Sequence, residues 1–135
     1  MRKAVLIFPF SIAGWILCGL IMAYTTEWFG FNMALILHAT FGPLVFVAVF
    51  LWYFRLKETF SPFYAAILNT ALVFLLDLVV VAGIMGVGFV MFQSFVATWL
   101  PFMLILLLTW STGHFVKKGE SETVPPVAPN LSHLS

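Results

Sequence analysis

The chain has 135 residues, of which 63% are hydrophobic, 18% aromatic and only 8% charged. A soluble domain carries about 25% charged residues, so this chain lacks the surface to face water, and the composition excludes a soluble globular domain, a nucleic-acid binder and a disordered regulator. A formal net charge of +1 and a mean hydropathy of +1.11 place it in a bilayer. The single cysteine, Cys18, excludes an intrachain disulfide and any zinc site built on several thiolates.

A helix needs about 20 apolar residues to cross the hydrocarbon. The first such stretch runs from Ala4 to Ala23 and ends at the polar run Tyr24-Thr25-Thr26-Glu27. Arg2-Lys3 before it resembles the start of a signal peptide. Its apolar run is too long for an h-region, however, Pro9 interrupts it, and no small-x-small site precedes the polar turn, so we expect a retained helix. The second span is expected over 33–54, closed by Arg55-Leu56-Lys57-Glu58. Phe63 to Phe92 is too long for one crossing, at about 45 Å for about 1.5 Å per residue. Gly83, Gly86 and Gly88 mark where a third span, 63–83, ends. A short apolar hairpin through Gln93 and Ser94 leads to a fourth span over 96–115, and the Pro- and Ser-rich segment 119–135 reads as a disordered tail.

All six Lys and Arg residues fall in three places: Arg2 and Lys3, Arg55 and Lys57, Lys117 and Lys118. Basic residues beside spans stay cytoplasmic, which predicts both termini inside and an even number of crossings. The expected fold is therefore all-α, a four-helix transmembrane bundle formed by residues 1–118 with the tail in the cytoplasm. Trp28 and Trp99 suit an outer aromatic belt, and Trp52, Tyr53, Tyr64 and Trp110 an inner one. Gly14, Gly19, Ala39, Gly42 and Ala66 are the small residues expected at helix contacts.

Within the spans, Asp77 is the most informative residue. An ionised side chain at the bilayer centre costs about 2.5–3.5 kcal/mol on insertion scales, so it should face protein or water. Asp77 lies about 21 Å along the third span, and roughly 9 Å below Gly83. His38 lies about 7–8 Å below the outer end of the second span, a similar depth matched by no other ionisable pair in the spans. A carboxylate beside an imidazole makes a group able to change protonation near neutral pH. The ordinary alternative is a polar clasp between helices, where such bonds average about 0.6 kcal/mol. Thr70 shares nearly the same helical face as Asp77, about 10 Å deeper, and Asn69 is displaced by roughly 80°. Both extend the polar site or simply bond a neighbouring helix. Thr40 is expected to bond its own backbone. Pro43 and Pro101 each free a carbonyl and are expected to kink the second and fourth spans near the depth of Asp77.

Other chemistries find little support. His38 is outer and His114 inner, which removes a bis-histidine haem, and a His–Met haem through Met22, Met33 or Met85 has no spacing to recommend it. One His and one Asp are too few for a metal site, and no phosphate loop or nucleophile triad is present, so no cofactor, metal or catalytic residue is assigned.

His38-Ala39-Thr40-Phe41-Gly42-Pro43 with Tyr53-Phe54-Arg55, then Leu76-Asp77 followed by Val79-Val80-Val81-Ala82, Met91-Phe92-Gln93-Ser94, Thr98-Trp99-Leu100-Pro101-Phe102, and Thr109 with Thr112-Gly113, cover the last three spans. Together they resemble small uncharacterised bacterial four-span integral membrane proteins. The resemblance implies a bacterial inner membrane and a single four-helix domain, and brings no mechanism. The function expected is a small integral membrane protein whose outer-half His/Asp site handles protons or a small solute, in a homo-oligomer or a larger membrane complex. A non-catalytic accessory or scaffold subunit is the alternative, and haem- or quinone-linked electron transfer a third.

Overall fold

A computed structural model of the chain describes residues 2–56, 59–86 and 88–123. Among these residues every regular element is helical. Helix α1 spans Arg2–Phe29, α2 Phe31–Phe54 and α3 Pro62–Leu76; a π-helical segment, Asp77–Ile84, continues α3. A 3-10 segment, Gly88–Gln93, and a π turn, Phe95–Trp99, lead into α4, Leu100–Thr123. Four stretches are long and apolar enough to cross a membrane: Val5–Phe29, Phe31–Phe54, Pro62–Ile84 and Phe95–Ser121. They have the length and composition of a multi-pass membrane protein.

The spans match expectation better than their ends. Tyr24-Thr25-Thr26-Glu27 does not form the first turn, because α1 runs through it to Phe29. Thr25 donates its hydroxyl to the Ile21 carbonyl at 2.6 Å and Thr26 to the Met22 carbonyl at 2.7 Å, so the helix itself satisfies these hydroxyls. Gly30 alone turns the chain, with φ at 78°, a conformation that side chains disfavour. The third span departs from α geometry at Asp77 and widens to a π-helix closed by a 2.8 Å bond from the Met85 N–H to the Val80 carbonyl. Three consecutive valines, Val79 to Val81, lie in this segment, and β-branched side chains crowd the turns of a regular α-helix.

Helix α4 continues past Phe115 to Thr123, so the polar segment from Gly119 starts as helix; the residues after Thr123 lie outside those described. Pro101 lies inside the helical stretch Phe95–Ser121, at the point where the π turn Phe95–Trp99 passes into α4. Pro43 is buried inside α2, which runs without interruption across it.

Around the bundle the helices neighbour one another in the order α1, α2, α4, α3, with α1 closing the ring against α3. The diagonal pairs α1/α4 and α2/α3 keep their backbones more than 8 Å apart throughout the described residues. At the end carrying Arg55 and Lys117, an aromatic core is closed around Tyr53. Its ring lies 5.5 Å from Phe10, 5.3 Å from Phe50 and 5.1 Å from Phe54. The Tyr53 hydroxyl accepts from the Phe60 N–H at 3.2 Å, while the Lys117 ammonium donates to the Phe60 carbonyl at 2.8 Å. Both backbone polar groups of Phe60, in the α2–α3 connection, are thereby held, its N–H by α2 and its carbonyl by α4. A second aromatic group, at the opposite end, gathers around Phe74, whose ring lies 5.6 Å from Phe92 and 5.5 Å from Phe102.

Of the expected small contact residues, Gly14, Ala39, Gly42 and Ala66 are buried, whereas Gly19 is exposed. A Cβ on Gly14 would stand 2.7 Å from the Phe46 ring, and one on Gly113 2.5 Å from the Phe54 ring, while nothing lies within 4 Å at Gly19. Both rings are only 1% exposed and have no room to move aside. Gly14→Ala and Gly113→Ala should each destabilise the purified protein by about 1–3 kcal/mol through overpacking, and Gly19→Ala should not. Thermal unfolding in detergent reads the contrast.

Candidate functional site

Asp77 stands at the junction where α3 becomes π-helical, and it is half-buried. Its Oδ1 accepts a hydrogen bond from the Trp15 indole Nε1 at 2.7 Å. Trp15 belongs to α1, whose backbone stays more than 8 Å from the whole π-helical segment. The long indole therefore joins two segments whose backbones are not in close contact.

The expected direct pair between Asp77 and His38 is not formed. The reason is the ring order of the helices: His38 is on α2, diagonal to α3. His38 Nδ1 is buried and has no hydrogen-bond partner. The imidazole stands beside Gly42, where an added Cβ would lie 3.7 Å from His38 Cε1 and 3.6 Å from Cys18 Sγ. The Cys18 thiol donates to the Gly42 carbonyl at 3.6 Å, and the Cys18 backbone adjoins the imidazole. Cys18 follows Trp15 by three residues, which makes the two neighbours on the surface of α1, and it lies within electrostatic reach of Asp77. Along α1, Trp15 thus stands beside the acid and Cys18 beside the imidazole.

Trp15 is the residue that sequence reasoning missed. Its signal was position: an indole in mid-span, away from both aromatic belts, must find a partner for its N–H. The remaining polar residues divide. Asn69 is fully buried and donates its Nδ2 to Thr109 Oγ1 of α4 at 3.4 Å, an interhelical bond of the ordinary kind. Its Oδ1 has no partner, and the same holds for Thr70 Oγ1 and for Ser11 Oγ, one turn before Trp15 on α1. Asn69 turns to α4 instead of joining Asp77. Thr40 donates to the Ile36 carbonyl of its own helix at 2.9 Å. Pro43, next to Gly42, borders the His38 side of the site, whereas Pro101 opens α4 beside the buried Phe102. His114 is exposed near the far end of α4, its ring 6.3 Å from that of Phe115. Among the described residues no group of three His, Cys, Asp or Glu side chains converges as a metal site would require.

Comparison with protein families, with curated proteins and with solved structures gave no match to this chain.

The Trp15–Asp77 bond has a direct spectroscopic consequence. Of the five tryptophan indole signals in an ¹⁵N-labelled sample, the one lost in Trp15→Phe should be the one that moves in Asp77→Asn, and the other four should stay in place.

Proposed function

We propose that this is a small multi-pass membrane protein that handles protons at Asp77, with His38 as the second protonatable group of the same site. One observation carries the proposal. Among the described residues, the Asp77 carboxyl, inside a span, is served by a single indole N–H and by no ion pair with a cationic side chain. A carboxyl so placed is costly unless a proton or an exchangeable partner neutralises it, and intramembrane ionisable residues of this kind mark proton relays and substrate paths. His38 supports the same reading, since its buried Nδ1 has no hydrogen-bond partner among the described residues. A purely structural clasp would have satisfied both groups.

The basic residues support a setting for this reading. Arg2 and Lys3 begin α1, Arg55 follows α2, and Lys117 and Lys118 lie in the last turns of α4. By the bias of such residues that end and both termini face the cytoplasm, in a bacterial inner membrane, with the Asp77 site in the outer half. Four helices leave little room for a private pathway, so the working unit is a homo-oligomer or a larger membrane complex. A second reading, an accessory or scaffold subunit, draws on the Asn69–Thr109 bond, which serves helix packing alone.

Proteoliposomes with an internal pH dye and an imposed potassium diffusion potential separate the two. Proton handling requires wild-type flux above that of protein-free vesicles, lost in Asp77→Asn and reduced in His38→Ala, with both variants folded. A scaffold instead gives no flux, and the same substitutions lower only thermal stability or assembly.

A further inference from the structure

Between Asp77 and Lys117 the chain carries no Asp, Glu, Lys or Arg, so the connection from the third span to the fourth is uncharged throughout. The connection between α1 and α2 differs in kind, because Glu27 stands exposed near the end of α1, next to Thr25 and Thr26. Where a loop in water would put polar side chains, the α3–α4 hairpin exposes large apolar ones. Ile84 is 76% exposed, Met85 67%, Phe89 69% and Phe95 59%. Ile84 ends the π-helical segment and Phe95 opens the π turn, so this surface continues the apolar sides of the two spans. The polar residues between them in sequence are Gln93 and Ser94.

The other face of the hairpin packs inward. Phe92 lies 5.6 Å, ring to ring, from Phe74 of α3, which lies 5.5 Å from Phe102 of α4. Backbone groups at its bends find partners within the protein. The Trp99 indole donates to the Phe92 carbonyl at 3.0 Å, the Ala97 N–H donates to Ser94 Oγ at 3.2 Å, and the Met85 N–H reaches the Val80 carbonyl at 2.8 Å. Water would serve such groups by itself, whereas hydrocarbon obliges the protein to do so. Depth agrees with this. Lys117 and Phe60 mark one end of the bundle, and the span from Pro62 to Ile84 has 23 residues, at most about 34 Å at about 1.5 Å per residue. Against about 30 Å of hydrocarbon, and with a usual tilt of about 20°, Ile84 ends at the edge of the acyl chains and not beyond the headgroups.

We propose that the α3–α4 hairpin is seated in the bilayer, with Met85 and Phe89 among the acyl chains just under the headgroups of the leaflet remote from Lys117. Lipid is its partner. A protein partner would ask for a polar rim around the apolar contact, and the hairpin has no charged residue to supply one. At that end of the molecule water meets Glu27 and the α1–α2 turn, and lipid meets the hairpin.

Bimane fluorescence from a label on Phe89→Cys, in the full chain reconstituted into phosphatidylcholine vesicles, tests the proposal. Glu27→Cys is the reference at the same end of the bundle, and the native Cys18 is buried. The expected result is that phosphatidylcholine with a doxyl group high on its acyl chain quenches the label at position 89, while iodide in the buffer does not. At position 27 the order is reversed, and emission there lies to the red of that at position 89. Equal quenching of both labels by iodide means an aqueous loop and overturns the proposal. Protection of the label at position 89 from both quenchers means a contact with a second copy or another protein, and overturns it too. Should Phe89→Cys not fold, Met85→Cys is read by the same criteria.

Discussion

Hydrocarbon offers a polar group nothing, so whatever a spanning helix carries must be served by the protein around it. In this chain that constraint bears hardest on one carboxyl group. Asp77 sits where α3 gives way to π geometry, and the neighbouring backbone of α1 is too distant to reach it. The tryptophan that closes the distance is long enough to do so and polar only at its tip. The Trp15–Asp77 bond is consequently what ties α1 to the far part of the third span, and Cys18, on the next turn of α1, meets Gly42 and His38 of α2.

The two ends of the bundle meet the constraint differently. Around Tyr53 the rings are closely packed, and both the N–H and the carbonyl of Phe60 have partners. Further along the bundle, Ser11 Oγ, His38 Nδ1, Asn69 Oδ1 and Thr70 Oγ1 are buried without one. Each such group normally carries a desolvation cost of about 1–3 kcal/mol.

The sequence made the class of fold legible because lipid allows few solutions. Apolar length sets the number of spans, and the three clusters of Lys and Arg divide them. The ends were less legible. Thr25 and Thr26 look like a polar turn but bond back to carbonyls within their own helix, and Gly119 looks like a boundary although α4 passes through it. For the candidate site, one-dimensional depth brought Asp77 and His38 to the same level. It could not reveal which helices are neighbours, because adjacency depends on how four rods pack in cross-section. The order α1, α2, α4, α3 makes α2 and α3 diagonal and puts Trp15 where an imidazole was expected. The π-helical turn at Asp77 was hidden for a similar reason: apolar periodicity does not distinguish a widened turn from a regular one.

The anchoring of Phe60 has a mechanical consequence. A phenol from α2 grips it on one side and an ammonium from α4 on the other, so three of the four rods are joined at one heel. Elsewhere α1 packs directly on α3, and among the described residues only its reach to the π-helical segment depends on a single side-chain bond, the one from the Trp15 indole to Asp77.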